Sequence, residues 1–278
     1  MMTMRMKICW LAMTAIVGMT AVPGVAAERK SVFPPGIKPA GPYSPGMISG
    51  DYLYASGQGP RDANGKFGDT PEANMRQALR NIRSIIEAGG ATMEHVVFAH
   101  VYLHSSVPQA ALEKVWAETF PKNPPRRMVY SSHRLPLDIP VEINALAVRD
   151  LAKRKQASKM VLPAPDDKPG CRKASGGVIC SASSTAAGSV EEQTRMTFEQ
   201  LDALLKKAGY ALADAVATNV QLDSVDDFAK MNGVYGTFFP KDSPPTRTTL
   251  GPKPPVTSRG AVNGAYPVLV RVSLLAVK

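Results

Sequence analysis

Cysteine, histidine and aromatic residues are all scarce in this chain of 278 residues, which has 3 Cys, 4 His, 2 Trp and an aromatic fraction of 6%. The four histidines (His95, His100, His104 and His133) all lie in the first half, whereas the two cysteines beyond the N-terminal region, Cys171 and Cys180, lie in the second. That separation argues against a Cys/His metal centre. His100 and His104 have a spacing that chelates zinc on a helix. VVFAHVYLHS alternates like a strand, however, which sets the two rings too far apart to share an ion. No phosphate-cradling glycine loop and no Ser-His-Asp order is visible, so no cofactor is implied. Long apolar runs are also missing, apart from ICWLAMTAIVGMTAV near the start. That run follows Arg5 and Lys7, is broken by Pro23, and ends in VPGVAA before Glu28. It is short for a bilayer span and has the layout of a secretory signal peptide over residues 1–27. The expected product is a periplasmic or secreted chain with no membrane attachment once the leader is removed.

Residues 28–278 carry 31 basic and 23 acidic side chains, a net charge of +8. The densest excess of bases lies in AKRKQASK, within a linker-like stretch at residues 153–168. A basic stripe interleaved with aromatics would point to nucleic acid. Here the folded parts are nearly balanced, which argues against such a partner and leaves the charge to solubility or loose attraction to an anionic surface. Cys171 and Cys180 flank RKASGGVI, whose SGG centre reads as a hairpin turn that sets the two sulfurs opposite each other. In an oxidising compartment a disulfide there closes a short loop, worth ~2–3 kcal/mol.

The chain repeats itself. IIEAGGATMEHVVFAHVYLHS (85–105) matches LLKKAGYALADAVATNVQLDS (204–224) at an offset of 119, and Pro124-Pro125-Arg126-Arg127 matches Pro244-Pro245-Thr246-Arg247 after one residue of slippage. Two domains follow, residues 28–152 and 169–278, each large enough to bury a core. Within the first copy, PYSPGMISGDYLYASG reads as a hairpin turning at Ser49-Gly50-Asp51. Thr70-Pro71 opens a helix that Met75, Leu79, Ile82 and Ile86 line on one face up to Gly89. VVFAHVYL is a strand, ALEKVWAETF a second helix, and RMVYSS and VEINALAV are the closing strands. A sheet with two helices on one side is an α+β sandwich.

That order, together with GPYSPG (41–46), ASGQ (55–58), NPPRRMVYSSHRLP (123–136) and VEINALAV, resembles the reactive intermediate deaminase (RidA/YjgF) family. In the second copy DDFAKMNGVYGTFFP (226–240) is similar to the family's second helix. The resemblance implies a chorismate-mutase-like α+β fold that forms homotrimers, with pockets between subunits. It also implies hydrolysis of enamines and imines to a keto acid and ammonia. By the same resemblance Arg127 binds the substrate carboxylate, Glu142 handles protons and the attacking water, Tyr43 lines the pocket, and Ser56 and Gly57 form its wall. The prolines before Arg126 and Arg127 stiffen the chain there, which suits a preorganised anion site, and a planar guanidinium fits a carboxylate's two oxygens. Arg126 receives no role and is expected to be exposed. Val129 stands where the family often has cysteine, at a position whose backbone carbonyl orients water.

The second copy departs further from the pattern. It keeps Arg247 but shows Arg271 at the glutamate position, and it carries Asn232 where the first copy has Glu113. An arginine cannot exchange protons at neutral pH. These complementary losses point either to a composite site between copies or to drift in a redundant half. Three functions are to be weighed: an exported enamine/imine deaminase, a non-catalytic module that binds small carboxylates or serves assembly, and an endoribonuclease. Export and the even charge distribution count against the ribonuclease. Glu142 favours chemistry over mere binding.

Overall fold

Alternating strands and capped helices resolve into two sheets, one from each half of the chain. The computed structural model describes residues 29–157, 159–174 and 176–278; the leader expected at residues 1–27 lies outside them. The first half contains β1 (Arg29–Val32), β2 (Gly46–Ser49), β3 (Tyr52–Gln58), α1 (Pro71–Ala88), β4 (Val96–His104), α2 (Gln109–Thr119), β5 (Arg126–Ser132) and β6 (Val141–Val148). A short helix, α3 (Arg154–Ala157), begins the connection. The second half contains β7 (Gly170–Ala174), β8 (Gly177–Ser183), α4 (Val190–Lys207), β9 (Ala215–Leu222), α5 (Phe228–Tyr235), β10 (Thr246–Leu250) and β11 (Val270–Val277). The sheet orders are β1-β2-β3-β6-β4-β5 and β10-β9-β11-β8-β7. Pairing is antiparallel except for β4 with β5 and β9 with β10, the pairs joined through α2 and α5. The protein is thus α+β, built from two tandem copies of one sheet-and-helix unit.

Local chemistry sets the boundaries. The Thr70 hydroxyl accepts from the Ala73 N–H, with Pro71 opening α1. Ser189 and Glu192 form a reciprocal capping box at α4. Cys171 and Cys180 are cross-strand partners in the β7-β8 hairpin and are joined by a disulfide. β1 and the short α3 are elements that the sequence does not announce, β1 being a four-residue edge strand whose RKSV gives no clear alternation and α3 lying in the linker-like stretch.

Each sheet has two covered faces. On one, α1 and α2 pack Met75, Leu79, Ile82, Leu112 and Trp116 against β4 and β6, and α4 and α5 do the same in the second half through Phe198, Leu201, Met231 and Tyr235. The other faces meet each other, with Tyr54, Phe98, Leu146 and Val148 packed in one cluster with Ile179, Ala217, Leu275 and Val277. Polar contacts fix this docking. Asn144 Nδ2 donates to Thr248 Oγ1 at 2.8 Å, Asn219 Nδ2 donates to the Tyr102 hydroxyl at 3.0 Å, and Arg134 and Gly251 exchange backbone hydrogen bonds of 3.1 and 2.9 Å. His100 lies within this seam, and burial pulls its pKa down to about 3, so it is neutral.

The connection works as a strap. Ala157, Met160 and Leu162 are buried with the inter-sheet cluster, and Gln221 Nε2 donates to the Pro165 carbonyl at 2.8 Å. Its bases do more than solvate: Arg154 donates to the carbonyls of Glu94, Val96 and Asn123, and Lys153 pairs with Asp51 at 2.7 Å. Arg126 is exposed as expected, but it is not idle, because it donates to the Met160 carbonyl at 2.9 Å.

Two stability measurements test this architecture. Leu275→Ala, at the sheet-to-sheet contact, is expected to lower unfolding free energy by about 2–5 kcal/mol in urea titrations. Reducing the Cys171–Cys180 bridge is expected to cost ~2–3 kcal/mol in the same assay, from the loop entropy it constrains.

Candidate functional site

Side chains alternate along a strand, so one residue's parity decides which face it serves. Glu142 pairs across β6-β4 with Tyr102, on the face that meets the other sheet, while Arg127 pairs across β4-β5 with Ala99, which belongs to the helix-side core. The arginine and the glutamate of the first copy therefore project from opposite faces of their own sheet. The expected union of Arg127 with Glu142 is not formed within this copy. Arg127 instead makes an ion pair with Glu113 of α2, its guanidinium 4.9 Å from the Trp116 ring centre. Val129 shares that face of β5 and is exposed, away from Glu142.

The arginine that reaches Glu142 comes from the second copy. Arg247, on the edge strand β10, lines a cleft with Glu142, Tyr43, Gly57, Phe228 and Thr249. It is only 3% exposed, and its Nη1 and Nη2 have no hydrogen-bond partner among the described residues. Three rings surround the guanidinium: Tyr235 at 4.7 Å, Tyr43 at 4.8 Å and Phe228 at 5.3 Å from its carbon. Asn232 approaches from α5, and its Oδ1 is likewise buried without a partner. Gly41 is needed here, because a Cβ on it would stand 2.7 Å from Arg247 Nη2 and 2.9 Å from the Asn232 amide. Burial pulls the Arg247 pKa down, with Tyr235, Tyr43 and Glu142 opposing, but an arginine so placed stays charged.

Glu142 is buried on a strand covered on both faces. Burial pushes its pKa up to about 8, against a hydrogen bond from the Thr249 backbone and the charge of Arg247. At neutral pH it therefore holds a proton. Its carboxyl occupies the space left by Gly57, where a Cβ would lie 1.8 Å from Glu142 Oε1. This close approach falls at the irregularity in β3, where pairing with β6 shifts between Ala55 and Gln58. Ser56, expected on the wall, is buried beside it and accepts from Gln58 Nε2 at 2.9 Å. Tyr43 is tied by its hydroxyl, which accepts from the Ala40 N–H at 3.1 Å.

Thr249, Phe228 and Tyr235 escaped the sequence reading. The internal repeat held the signal, since the offset of 119 takes Gln109, Glu113 and Trp116 to Phe228, Asn232 and Tyr235, and one residue of slippage takes Val129 to Thr249. The substitution at the second of these positions separates the two halves chemically. Glu113 neutralises Arg127, whereas Asn232 leaves Arg247 without a counter-charge. Arg271, at the second copy's glutamate position, stands on β11 between Ser183 and Gln221. Among the described residues no group of three or more His, Cys, Asp or Glu could hold a metal ion.

Comparison with known proteins gives this arrangement a family. The pattern of the Endoribonuclease L-PSP family matches residues 35–149 and 174–253, more than half of the chain and parts of both copies. A RutC family protein of Pyrococcus horikoshii is 36% identical over 117 residues, covering 41% of this chain and 91% of that protein. Another from Saccharolobus solfataricus is 37% identical over 112 residues, covering 40% and 89%. Among solved structures, the YjgF gene product of E. coli is 30% identical, covering 40% of this chain and 91% of its own, with a TM-score of 0.39. E. coli TdcF with bound serine is 27% identical, covering 44% and 99%, with a TM-score of 0.41.

The raised pKa of Glu142 predicts a sign. The folded state holds this proton where the unfolded chain has released it, so the group's contribution is complete below the ordinary glutamate pKa near 4.5 and is lost as pH rises through about 8. Urea midpoints at pH 5.5 and 8.5 are expected to fall more for the wild type than for Glu142→Gln, which lacks the ionisation. Equal falls would place the Glu142 pKa in the ordinary range.

Proposed function

Since the chain belongs to the Endoribonuclease L-PSP family, which includes the RutC and YjgF proteins, we propose that its inter-copy cleft hydrolyses enamines and imines of small 2-amino acids to 2-keto acids and ammonia. The observation that carries this reading is a buried, charged and unpartnered guanidinium in the same cleft as a carboxylic acid poised near neutral pH. A buried unpaired charge is costly, and a bound anion relieves that cost. Arg247 offers two parallel N–H donors to a carboxylate, and its cage of three rings suits one small anion rather than a phosphodiester chain.

The chemistry follows from the proton on Glu142. With the substrate carboxylate on Arg247, the protonated acid delivers its proton to the enamine carbon, or to the imine nitrogen if the substrate arrives as the imine. The resulting carboxylate takes a proton from water as the water oxygen bonds to C2. Returned to the nitrogen of the carbinolamine, that proton makes it a leaving group, and as the C–N bond breaks the C2 hydroxyl gives its own proton to the Glu142 carboxylate, so that ammonia leaves, the keto group forms and the acid is protonated again. Thr249 Oγ1, buried in the cleft wall and without a partner, is placed to hold the water. Arg247 and Glu142 belong to one chain, so this cleft does not depend on the trimer that the family resemblance implies.

The assignment makes the two arginines unequal. With 2-iminopropionate generated in the assay, Arg247→Ala is expected to lower kcat/KM by about 100-fold or more, and Glu142→Gln by a similar factor. Arg127→Ala should stay within about twofold of wild type, because its guanidinium is engaged by Glu113 and Trp116 on the opposite face of the sheet from Glu142. Loss of activity in Arg127→Ala with Arg247→Ala intact would move the site to the first copy's own arginine. No turnover above the spontaneous rate, from folded protein that still binds pyruvate through Arg247, would leave a carboxylate-binding module.

A further inference from the structure

The cleft is much larger than its chemistry requires. Its volume is about 540 Å³, and its lining joins the buried Arg247 and Glu142 with the apolar Ile37, Ile139, Pro136 and Leu137 and with the exposed Lys38 and Arg61, which mark its mouth. An imine derived from alanine has one carboxylate and one methyl group, which would leave this outer half of the space unfilled. The mouth is also charged in one sense. Lys38 is exposed and has no hydrogen-bond or ion-pair partner among the described residues. Arg61 has no carboxylate partner among them, and it is held in place: Nη1 donates to the Gly65 carbonyl at 3.0 Å, Nη2 to the Leu137 carbonyl at 3.2 Å, and the guanidinium lies 4.4 Å from the Phe67 ring centre. Asn81 stiffens the same loop through the carbonyls of Gly59 and Arg61, each at 2.9 Å.

The acids do not balance these bases. Asp62 lines the mouth, but its Oδ1 accepts from the backbone N–H groups of Asn64 and Lys66 at 2.9 and 2.8 Å, so it serves the turn. Glu142 is protonated at neutral pH. Three cations, one buried and two exposed, then share a single cleft with one ionised acid and an apolar lining.

We infer that the preferred substrates are the imines of dicarboxylic amino acids, with the 2-carboxylate on Arg247 and the distal carboxylate at the mouth on Arg61, assisted by Lys38. This rests on the hydrolase reading for its chemistry but not for its recognition. Arg61 acts on specificity alone, for the reacting carbon lies at the inner end. A guanidinium already fixed by two carbonyls and a ring loses little freedom when it takes up an anion with its remaining N–H donors.

The test compares three imines made in the assay by amino acid oxidases, 2-iminoglutarate, 2-iminopropionate and the uncharged but bulky imine from leucine, with direct titration of 2-oxoglutarate and pyruvate. Wild type is expected to favour 2-iminoglutarate over both others by about tenfold or more in kcat/KM, mainly through KM, and to bind 2-oxoglutarate more tightly than pyruvate. Arg61→Gln should erase both preferences while leaving 2-iminopropionate within about twofold of wild type, whereas a merely structural arginine would depress every substrate alike. Equal use of the leucine and glutamate imines, or an unchanged 2-oxoglutarate affinity in Arg61→Gln, would overturn the inference. Absence of all turnover with the 2-oxoglutarate preference intact would overturn the hydrolase reading and leave the inference standing as a statement about binding.

Discussion

The alternation of side chains along a β-strand governs the rest of this structure. Glu142 faces the opposite sheet and Arg127 faces the helices, so the first copy cannot bring its own arginine and its own acid onto one small molecule, and the second has Arg271 where that acid would stand. A site of this kind has to be shared. The docking of the two sheets through Tyr54, Leu146, Ile179 and Leu275 is therefore a condition of the proposed chemistry as well as of stability, because it brings the arginine of one copy into one cleft with the seam-side acid of the other.

Once one shared cleft exists, the two copies experience different demands. The first copy keeps the acid, the tyrosine hairpin and the glycine that makes room for the carboxyl, while its arginine is paired to Glu113 on its own helix. The second keeps an arginine with no counter-charge and builds three rings around it, one of them Tyr43 from across the seam. The electrostatics agree with that division. Burial leaves the Arg247 guanidinium suited to an anion, as the proposed function requires, and burial pushes the pKa of Glu142 up although Arg247 opposes it.

Much of this was legible in the sequence. The offset of 119 revealed two copies, the Thr70-Pro71 start marked the first long helix, and Cys171 and Cys180 met across their hairpin. The pairing of arginine and acid was not legible. VEINALAV is buried at every position, so its hydrophobicity carries no phase, and nothing in the string shows which face Glu142 occupies. The strap was missed for a related reason. AKRKQASK reads as solvated charge, but Arg154 spends its guanidinium on three carbonyls of the first copy, a role that depends on where the chain turns rather than on composition. The roles of Phe228 and Tyr235 lay in the alignment of the repeat, visible only when the second copy is read as the supplier of the arginine.

The strap between the copies also changes what dilution can do. A cleft assembled from separate subunits is lost when their concentration falls below the dissociation constant. Two halves joined by residues 149–169 meet at an effective concentration fixed by the tether, about millimolar for a short flexible one and higher where the tether is itself packed down. A chain of this kind carries its cleft with it intact on dilution.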